Sequence, residues 1–260
     1  MPIPHAVILG IVQGLTEAFP ISSSAHLVLI PWFFKWSYQG LAFDVALHVG
    51  TAMAFVAYFF EDWLKMIGSA FTKDKARKSN ILWYIVLATI PGALAGLTLE
   101  EKAENLFRAP AVIAAALALF AVILLAADRF GRKDKAEKEM GLKSALAIGF
   151  AQALAIIPGV SRSGITMTAG LMAGFSREAA ARFSFLLATP IIVAAGILKL
   201  PKLHPADLNA AFWLGVVSSA VSGFFSIKFL LGFVKKHNFD IFVFYRIMAS
   251  AMILAAIFTR

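Results

Sequence analysis

Long apolar runs alternate with short polar connectors along this 260-residue chain. Six of the runs approach the roughly 20 apolar residues that are needed to cross the hydrocarbon core of a bilayer. The predicted membrane-spanning helices are 41–62, 81–99, 110–127, 179–199, 211–234 and 241–258. The pattern therefore predicts an all-α, multi-pass integral membrane protein.

Two further apolar segments, 5–34 and 144–174, are interrupted in the middle by proline and by clustered serine and glycine. The first break is 20–24 and the second break is 158–164. Proline removes a backbone donor and kinks a helix. Irregular backbone at membrane depth is tolerated only where protein or a water-filled cavity surrounds it. Each segment is therefore interpreted as a re-entrant helix–loop–helix hairpin.

Basic residues concentrate in two connectors, 72–80 and 128–143. Membrane proteins keep an excess of Lys and Arg on the cytoplasmic side, so both connectors are expected to be cytoplasmic. The acidic stretch at 100–104 then falls outside, as do both termini. These inside and outside assignments agree with the number of spans between the connectors only if the two interrupted segments do not cross the membrane. The charge pattern therefore favours the re-entrant interpretation.

The composition agrees with a membrane protein, since 60% of the residues are hydrophobic and 15% are charged. Soluble domains average about 45–50% and about 25%, respectively. The net charge of +9 is explained by the basic connectors, so membrane lipids are expected as partners and nucleic acid is not. The chain has no cysteine, which excludes a disulfide framework and a thiol nucleophile.

The two interrupted segments resemble each other. GIVQGLTEAFPISSS from Gly10 and GFAQALAIIPGVSRS from Gly149 share Gly-x-x-Gln, a later proline and clustered serines. Each precedes three predicted spans, and an odd number of crossings inverts the second copy, as in transporters with inverted repeats. We expect one polytopic domain with repeat one at 1–127, a cytoplasmic linker at 128–143 and repeat two at 144–260. The two breaks should then face each other.

Candidate catalytic side chains lie at the first break. Gln13 and Glu17 are spaced i, i+4 and so share one helix face. An ionisable group in a membrane segment indicates a functional site because its insertion is costly, although a salt-bridged Glu17 at a polar interface is the alternative. His26 is a candidate proton carrier because imidazole titrates near neutral pH, and a hydrogen-bonded structural histidine is the alternative.

The second break reads PGVSRSGIT and places Arg162 between Ser161 and Ser163. A guanidinium offers a planar fork of donors that matches phosphate oxygens. Hydroxyls and exposed amides at a helix N-terminus add further donors to an anion. An ion pair between Arg162 and Glu17 is the alternative, but it would not explain why serines and glycines flank the arginine. The pattern therefore favours phosphate binding.

Carboxylate and amide oxygens suit a hard cation, Mg²⁺ or Ca²⁺, which shares ligands with phosphate oxygens. Zinc is not expected, because the chain lacks cysteines and paired histidines at ligand spacing. From the residues alone, the site takes a phosphorylated amphiphile that arrives through the membrane.

Three motifs resemble those of the bacterial undecaprenyl-pyrophosphate phosphatase family, the bacitracin-resistance type. The family's Glu/Gln-x-x-x-Glu corresponds to 13–17, and its Pro-x-Ser-Ser-x-x-His corresponds to 20–26. Its Pro-Gly-x-Ser-Arg-Ser-Gly-x-Thr corresponds to 158–166. The late Phe-Tyr-Arg at 244–246 also fits, so the resemblance covers essentially the whole chain.

The resemblance implies hydrolysis of a long polyprenyl diphosphate to the monophosphate and inorganic phosphate, with a divalent cation, at the outer face of the bacterial plasma membrane. That step recycles the carrier lipid of cell-wall synthesis and gives bacitracin resistance. By position, the implied catalytic residues are Glu17, Ser23, His26 and Arg162, and the implied metal ligands are Glu17 and Gln13. The implied substrate-binding residues are Gln13, Ser22, Ser24, Ser161, Ser163, Gly164 and Thr166.

Gln13 stands where many members of the family have Glu. Its carbonyl oxygen can bind a cation, but the amide cannot act as a base. The attacking group is left open between Ser23, with His26 as its base, and a water molecule activated by Glu17 or His26.

A membrane lipid phosphatase with a histidine nucleophile is disfavoured, because no histidine follows Arg162 until His204. A transporter or flippase of a phosphorylated polyprenyl lipid is the remaining alternative, since inverted re-entrant repeats are a transport architecture. The sequence leaves the oligomeric state open, a homodimer included.

Further polar residues are left outside the predicted site. Asp44 and His48 lie one turn apart near the start of a span, where either would border the cavity. Glu61 and Asp62 are interpreted as a solvated cap that ends a span.

Overall fold

A computed structural model describes residues 1–72 and 79–259, apart from the side chains of 100–105, 202 and 206. Within this part the chain is helical, and its extended pairing is limited to one isolated bridge between Lys135 and Phe175. The α-helices are α1 Ile3–Ala18, α2 Ser23–Phe34, α3 Leu41–Tyr58, α4 Phe60–Phe71, α5 Ile81–Leu106, α6 Pro110–Phe130, α7 Leu142–Ala153, α8 Arg162–Met172, α9 Arg177–Lys199, α10 Ala210–Val234 and α11 Asp240–Thr259.

Six helices in the described ranges are long and apolar enough to cross a membrane, namely α3, α5, α6, α9, α10 and α11. Each coincides with one predicted span, so the all-α membrane fold with six spans is confirmed. The helix of α5 continues beyond the predicted end of its span, residue 99, to Leu106. α1 and α2 flank the first break and α7 and α8 flank the second, as shorter apolar helices.

The predicted span at 41–62 ends earlier than expected. α3 stops at Tyr58, and α4 begins at Phe60 after a change of backbone conformation at Phe59. Glu61 and Asp62 lie in the first turn of α4, where carboxylates face unpaired helix amides favourably. Asp62 also accepts a hydrogen bond from Arg182 at 2.9 Å, whereas the Glu61 side chain is 84% exposed, so the solvated cap describes Glu61, at the start of α4, and not the paired Asp62. The basic residues at 73–78 lie outside the described residues.

The helices beside the breaks pack against the other half of the chain. α1 lies along α10, and α7 lies along α5. Glycines at matching motif positions permit these close approaches. A side chain at Gly10 would collide with the carbonyl of Gly215, and one at Gly149 would collide with the carbonyl of Ala88. Each half of the chain therefore packs one of its short helices against a long helix of the other half, as expected for two interlocked repeats. That the two repeats have opposite orientations in the membrane stays a prediction.

The outer surfaces of the long helices carry large apolar side chains. Leu119, Ile197, Phe225 and Met252 are all well exposed on four different spans. A soluble monomer rarely leaves so much contiguous apolar surface in water. Exposed apolar side chains of this kind are expected on the surface of a protein that faces lipid.

Candidate active site

Each break contains one serine in a left-handed backbone conformation. Ser22 precedes α2 with φ of 73°, and Ser161 precedes α8 with φ of 71°. Residues other than glycine rarely adopt this conformation and need surrounding contacts to hold it. The Ser161 hydroxyl accepts a hydrogen bond from the amide of Gly164 at 3.1 Å. The Ser22 hydroxyl accepts one from the amide of Gly159 at 3.0 Å.

The two breaks are therefore in direct contact. Besides the bond from Gly159 to Ser22, the hydroxyl of Ser163 donates to the carbonyl of Phe19 at 3.0 Å. These cross-links join positions more than 130 residues apart in sequence. The expectation that the two breaks face each other is met, and their side chains form one site.

A buried arginine on α11 ties both breaks together. Arg246 has no exposed surface, and its guanidinium donates to the carbonyls of Pro20 at 3.2 Å, Gly159 at 2.8 Å and Val160 at 3.1 Å. A fourth bond reaches the carbonyl of Leu117 at 3.1 Å. In the sequence analysis, Arg246 appeared only as part of a motif match. The signal that could have identified it is an arginine inside a span, where charge is costly.

Glu17 is the centre of the site and is 4% exposed. Its Oε1 accepts a hydrogen bond from Arg162 Nη2 at 2.6 Å, which makes a close ion pair. Its Oε2 accepts from the hydroxyl of Ser23 at 2.5 Å and from the amide of Gln13 at 2.9 Å. The ion pair considered as an alternative is thus present, and hydroxyl and amide donors surround it as well.

His48 on α3 also reaches Glu17, with its Nε2 at 3.3 Å from Oε2. The other ring nitrogen, Nδ1, donates to the backbone carbonyl of Asp44 at 2.7 Å. Thr51, one turn further along α3, accepts from the Gln13 amide at 3.4 Å and donates to the carbonyl of His48 at 2.7 Å. Sequence reasoning placed His48 outside the site, because α3 carries no motif that links it to Glu17.

Arg162 is held from its other side by α9. Its Nη1 donates to the carbonyl of Ser184 at 3.1 Å. The buried hydroxyl of Thr166 donates to the carbonyl of Arg162 at 2.8 Å and lies 2.7 Å from the hydroxyl of Ser184. Thr166 therefore contacts the helix that supports Arg162, so the geometry favours a positioning role for this predicted substrate-binding residue.

Gly164 and the serines beside Arg162 complete the start of α8. The hydroxyls of Ser161 and Ser163 lie 3.3 Å apart. A side chain at Gly164 would approach Nη1 of Arg246 to 3.0 Å, so glycine leaves room for that guanidinium. The predicted residues of the second break are thus close together, at a helix N-terminus that suits an anion.

His26 has its own hydrogen-bond partners near the site. Its Nδ1 lies 2.7 Å from the carbonyl of Ser22, and its Nε2 lies 2.6 Å from the hydroxyl of Tyr245 on α11. Because a carbonyl can only accept, Nδ1 carries the proton and Nε2 accepts from Tyr245. Ser24 joins this group through the Ser22 hydroxyl at 3.2 Å. The structure thus places His26 against Tyr245, while Ser23, from the same break, contacts Glu17.

Two observations bear on a metal ion. Gln13 is fully buried, and in the described part of the chain its Oε1 has no hydrogen-bond partner. The same part contains no cluster of three or more His, Cys, Asp or Glu side chains that could hold a metal. A divalent cation here would therefore need ligands from the substrate as well, as Mg²⁺ does at phosphate sites.

Six apolar spans, with a carboxylate, a guanidinium and several hydroxyls buried between two broken helices, define a multi-pass membrane protein with a polar site for an anionic group. Comparison with known proteins identifies it further. The chain belongs to the bacitracin resistance protein BacA family, which matches residues 6–252.

Relatives along the whole chain carry the name undecaprenyl-diphosphatase. One from Pelotomaculum thermopropionicum is 52% identical over 258 residues, which cover 98% of each chain. One from Moorella thermoacetica is 48% identical over 260 residues and covers 100% of both chains. One from Elusimicrobium minutum is 53% identical over 251 residues, or 96% of each chain.

Proposed function

We propose that this protein is an undecaprenyl-diphosphatase, which removes the terminal phosphate of undecaprenyl diphosphate to give undecaprenyl phosphate and inorganic phosphate. The substrate comes from the names of the full-length relatives. The observation that carries the proposal is the ion pair between Glu17 and Arg162, which joins the two breaks at 2.6 Å. In the cell, the reaction recycles the carrier lipid of cell-wall synthesis, consistent with membership of a bacitracin-resistance family.

Arg162 is the proposed anchor for the diphosphate. Its Nη2 faces Glu17, and the hydroxyls of Ser161 and Ser163 lie beside it at the start of α8. An arriving diphosphate competes with Glu17 for this guanidinium, because phosphate oxygens match the same fork of donors. The exchange binds the phosphate and leaves the carboxylate free to take a proton. Phosphoryl transfer depends on charge stabilisation of this kind.

Ser23 is the proposed nucleophile and Glu17 its base, because the hydroxyl already donates to Oε2 at 2.5 Å. The Ser23 oxygen forms a bond to the terminal phosphorus, the bond from that phosphorus to undecaprenyl phosphate breaks, and the proton passes to Glu17. Water then hydrolyses the phosphoserine and releases inorganic phosphate. Direct attack by a water molecule that Glu17 deprotonates is the second route. His26 contributes to either route only after Tyr245 releases its Nε2.

The residues present fit a divalent cation, Mg²⁺ or Ca²⁺. Glu17 offers a carboxylate, and Gln13 offers a buried amide oxygen that has no partner in the described part of the chain. When bound, such a cation would offset the negative charge of the diphosphate. Glu17 and Gln13 are the residues that would hold it.

The proposed location is the bacterial plasma membrane, with the site open to the outer face and both termini outside. The support is the basic linker at 128–143, which the excess of positive charge assigns to the cytoplasm. The segments around the two breaks are proposed as re-entrant hairpins of two inverted repeats, 1–127 and 144–260. The exchanged packing of α1 on α10 and α7 on α5 supports that arrangement.

The activity is tested by phosphate release from undecaprenyl diphosphate with purified protein in detergent micelles. The wild type should release phosphate, and a chelator should stop it. Glu17→Ala and Arg162→Ala should lose activity while remaining folded, which thermal unfolding checks. Movement of labelled undecaprenyl phosphate across vesicles, without any phosphate release, would instead support the transporter alternative.

A further inference from the structure

We propose that His48 is a ligand of the divalent cation at this site, through Nε2, together with the carboxylate of Glu17 and the amide oxygen of Gln13. The inference rests on the cation of the proposed function. It adds a residue from α3, which lies outside all the motifs at the two breaks.

The hydrogen bonds of His48 fix which nitrogen is available. Nδ1 lies 2.7 Å from the carbonyl of Asp44, and because a carbonyl only accepts, Nδ1 carries the proton. In the neutral ring, Nε2 then has a free lone pair, 3.3 Å from Glu17 Oε2. A histidine whose other nitrogen donates to a backbone carbonyl is the usual form of a metal-binding histidine.

The distance between His48 and Glu17 leaves room for a bridging cation. A charge-assisted N–H···O bond is about 2.7–2.9 Å long. The neighbouring bond from Arg162 to Glu17 is 2.6 Å long, so this carboxylate does form short bonds. Two adjacent ligands of an octahedral cation, each about 2.1 Å from it, are about 3.0 Å apart. The 3.3 Å between Nε2 and Oε2 exceeds both values and lies nearer the second.

Gln13 provides the independent observation. Its side chain is fully buried, and Oε1 has no partner among the described residues. Its amide nitrogen contacts Glu17 at 2.9 Å and Thr51 at 3.4 Å, so a half-turn of the amide about its last side-chain bond would bring Oε1 to the side of Glu17 and α3. A buried polar atom without a partner is costly, and a cation relieves that cost. Thr51 also bonds the backbone of His48 at 2.7 Å, which links the two ligands.

An imidazole ligand predicts which cation binds best. Mn²⁺ accepts an imidazole ligand more readily than Ca²⁺, which binds almost entirely to oxygen. The site should therefore bind Mn²⁺ more tightly than Ca²⁺. Substrate phosphates and water would complete the coordination, as expected for a site with few protein ligands.

The test is Mn²⁺ binding to the purified, tag-free full-length protein, read by pulsed electron paramagnetic resonance. The wild type should bind Mn²⁺ with a coupling to one imidazole ¹⁴N. His48→Gln and His48→Asn should lose that coupling and bind Mn²⁺ at least about 10-fold more weakly. His237→Gln, at an exposed histidine beyond α10, is the matched control and should keep both.

The inference is overturned if wild-type protein binds no Mn²⁺, binds it without ¹⁴N coupling, or keeps the coupling in both His48 variants. The same samples are assayed for phosphate release, so the two proposals can fail separately. Phosphate release without ¹⁴N coupling would remove His48 from the ligands and leave the phosphatase. Coupling that depends on His48, in protein that releases no phosphate, would keep the metal site and remove the phosphatase.

Discussion

The two broken helices share one backbone plan but carry opposite charges. Ser22 and Ser161 have nearly the same left-handed φ and each begins the second half-helix of its pair. Glu17 precedes the first break, whereas Arg162 lies within the second, at the start of α8. Each charge alone would be costly inside a membrane protein, and the contact between the breaks pairs them. A site of this kind therefore needs both breaks.

The matching glutamines show that a similar sequence need not mean a similar role. Gln13 bonds Glu17 and Thr51. Gln152, equally spaced after its glycine, is also buried, but within the described part of the chain neither atom of its amide has a partner. It packs beside Gly92 of α5 and Ile191 of α9 instead. The proposed metal ligands thus lie in the first half alone.

The largest expected effect comes from removing either charge. Glu17→Gln and Arg162→Gln should each lower kcat/KM for phosphate release by about 10³-fold, since the first removes the proposed base and the second removes charge stabilisation at the phosphate. Glu17→Gln keeps the size and shape of the native side chain. A variant at either position that keeps more than a tenth of the activity would mean that its break is not part of the site.

Arg246→Met should have the next largest effect, because it leaves the carbonyls that hold both breaks without donors. We expect a loss of stability of about 3 kcal/mol. Activity should fall about 100-fold, because misplacing catalytic groups by about 1 Å is that costly. Thermal unfolding in detergent and phosphate release measure the two effects.

Arg129→Met is the matched control, since Arg129 forms a largely exposed pair with Asp240 at 2.5 Å. It should cost less than about 1 kcal/mol. Equal losses of stability in Arg246→Met and Arg129→Met would show that the hydrogen bonds of Arg246 do not hold the two breaks together.

Substitutions of the two glutamines should then differ in their effect on activity. Gln13→Leu should lower activity about 10-fold and weaken cation binding, since it removes a donor to Glu17 and a predicted ligand. Gln152→Leu should change activity less than about twofold and leave the melting temperature equal or higher, because it replaces a buried amide without partners. Similar losses for both would show that the two halves of the chain share the work equally.

The smallest effect is expected at the left-handed serines. Glycine relieves a backbone conformation that costs a serine about 1 kcal/mol, while the lost hydroxyl removes a bond of similar strength. Ser22→Gly and Ser161→Gly should therefore each change the stability by less than about 1 kcal/mol in thermal unfolding. A large loss for one of them would show that its hydroxyl, rather than the turn, holds that break.

The sequence predicted the parts of the fold that depend on the solvent and on local backbone chemistry. The spans follow from apolar length, and the breaks follow from Pro20, Pro158 and the clustered serines. The break at Phe59 carries neither proline nor glycine, so no local signal marked the start of α4. The length of an apolar run also does not show where one helix ends and the next begins, as α3 and α4 do within the run that starts at Leu41.

Within the site, the sequence predicted residues that stand in motifs and missed those that come from other helices. Glu17 and Arg162 were found because each lies beside a break. His48 and Arg246 reach the site through the packing of α3 and α11, which a single sequence does not specify. The partner of His26, Tyr245, was missed for the same reason. The catalytic roles of Glu17, Ser23, His26 and Arg162 stay predictions.

The most direct test of one site built from two breaks is a double-mutant cycle of phosphate release. Wild type, Glu17→Gln, Arg162→Gln and the double variant are compared on undecaprenyl diphosphate. If the two residues act as one unit, the double variant should lose about as much kcat/KM as the worse single variant, about 10³-fold to 10⁴-fold. Losses that multiply to about 10⁶-fold would show independent residues and contradict a shared site.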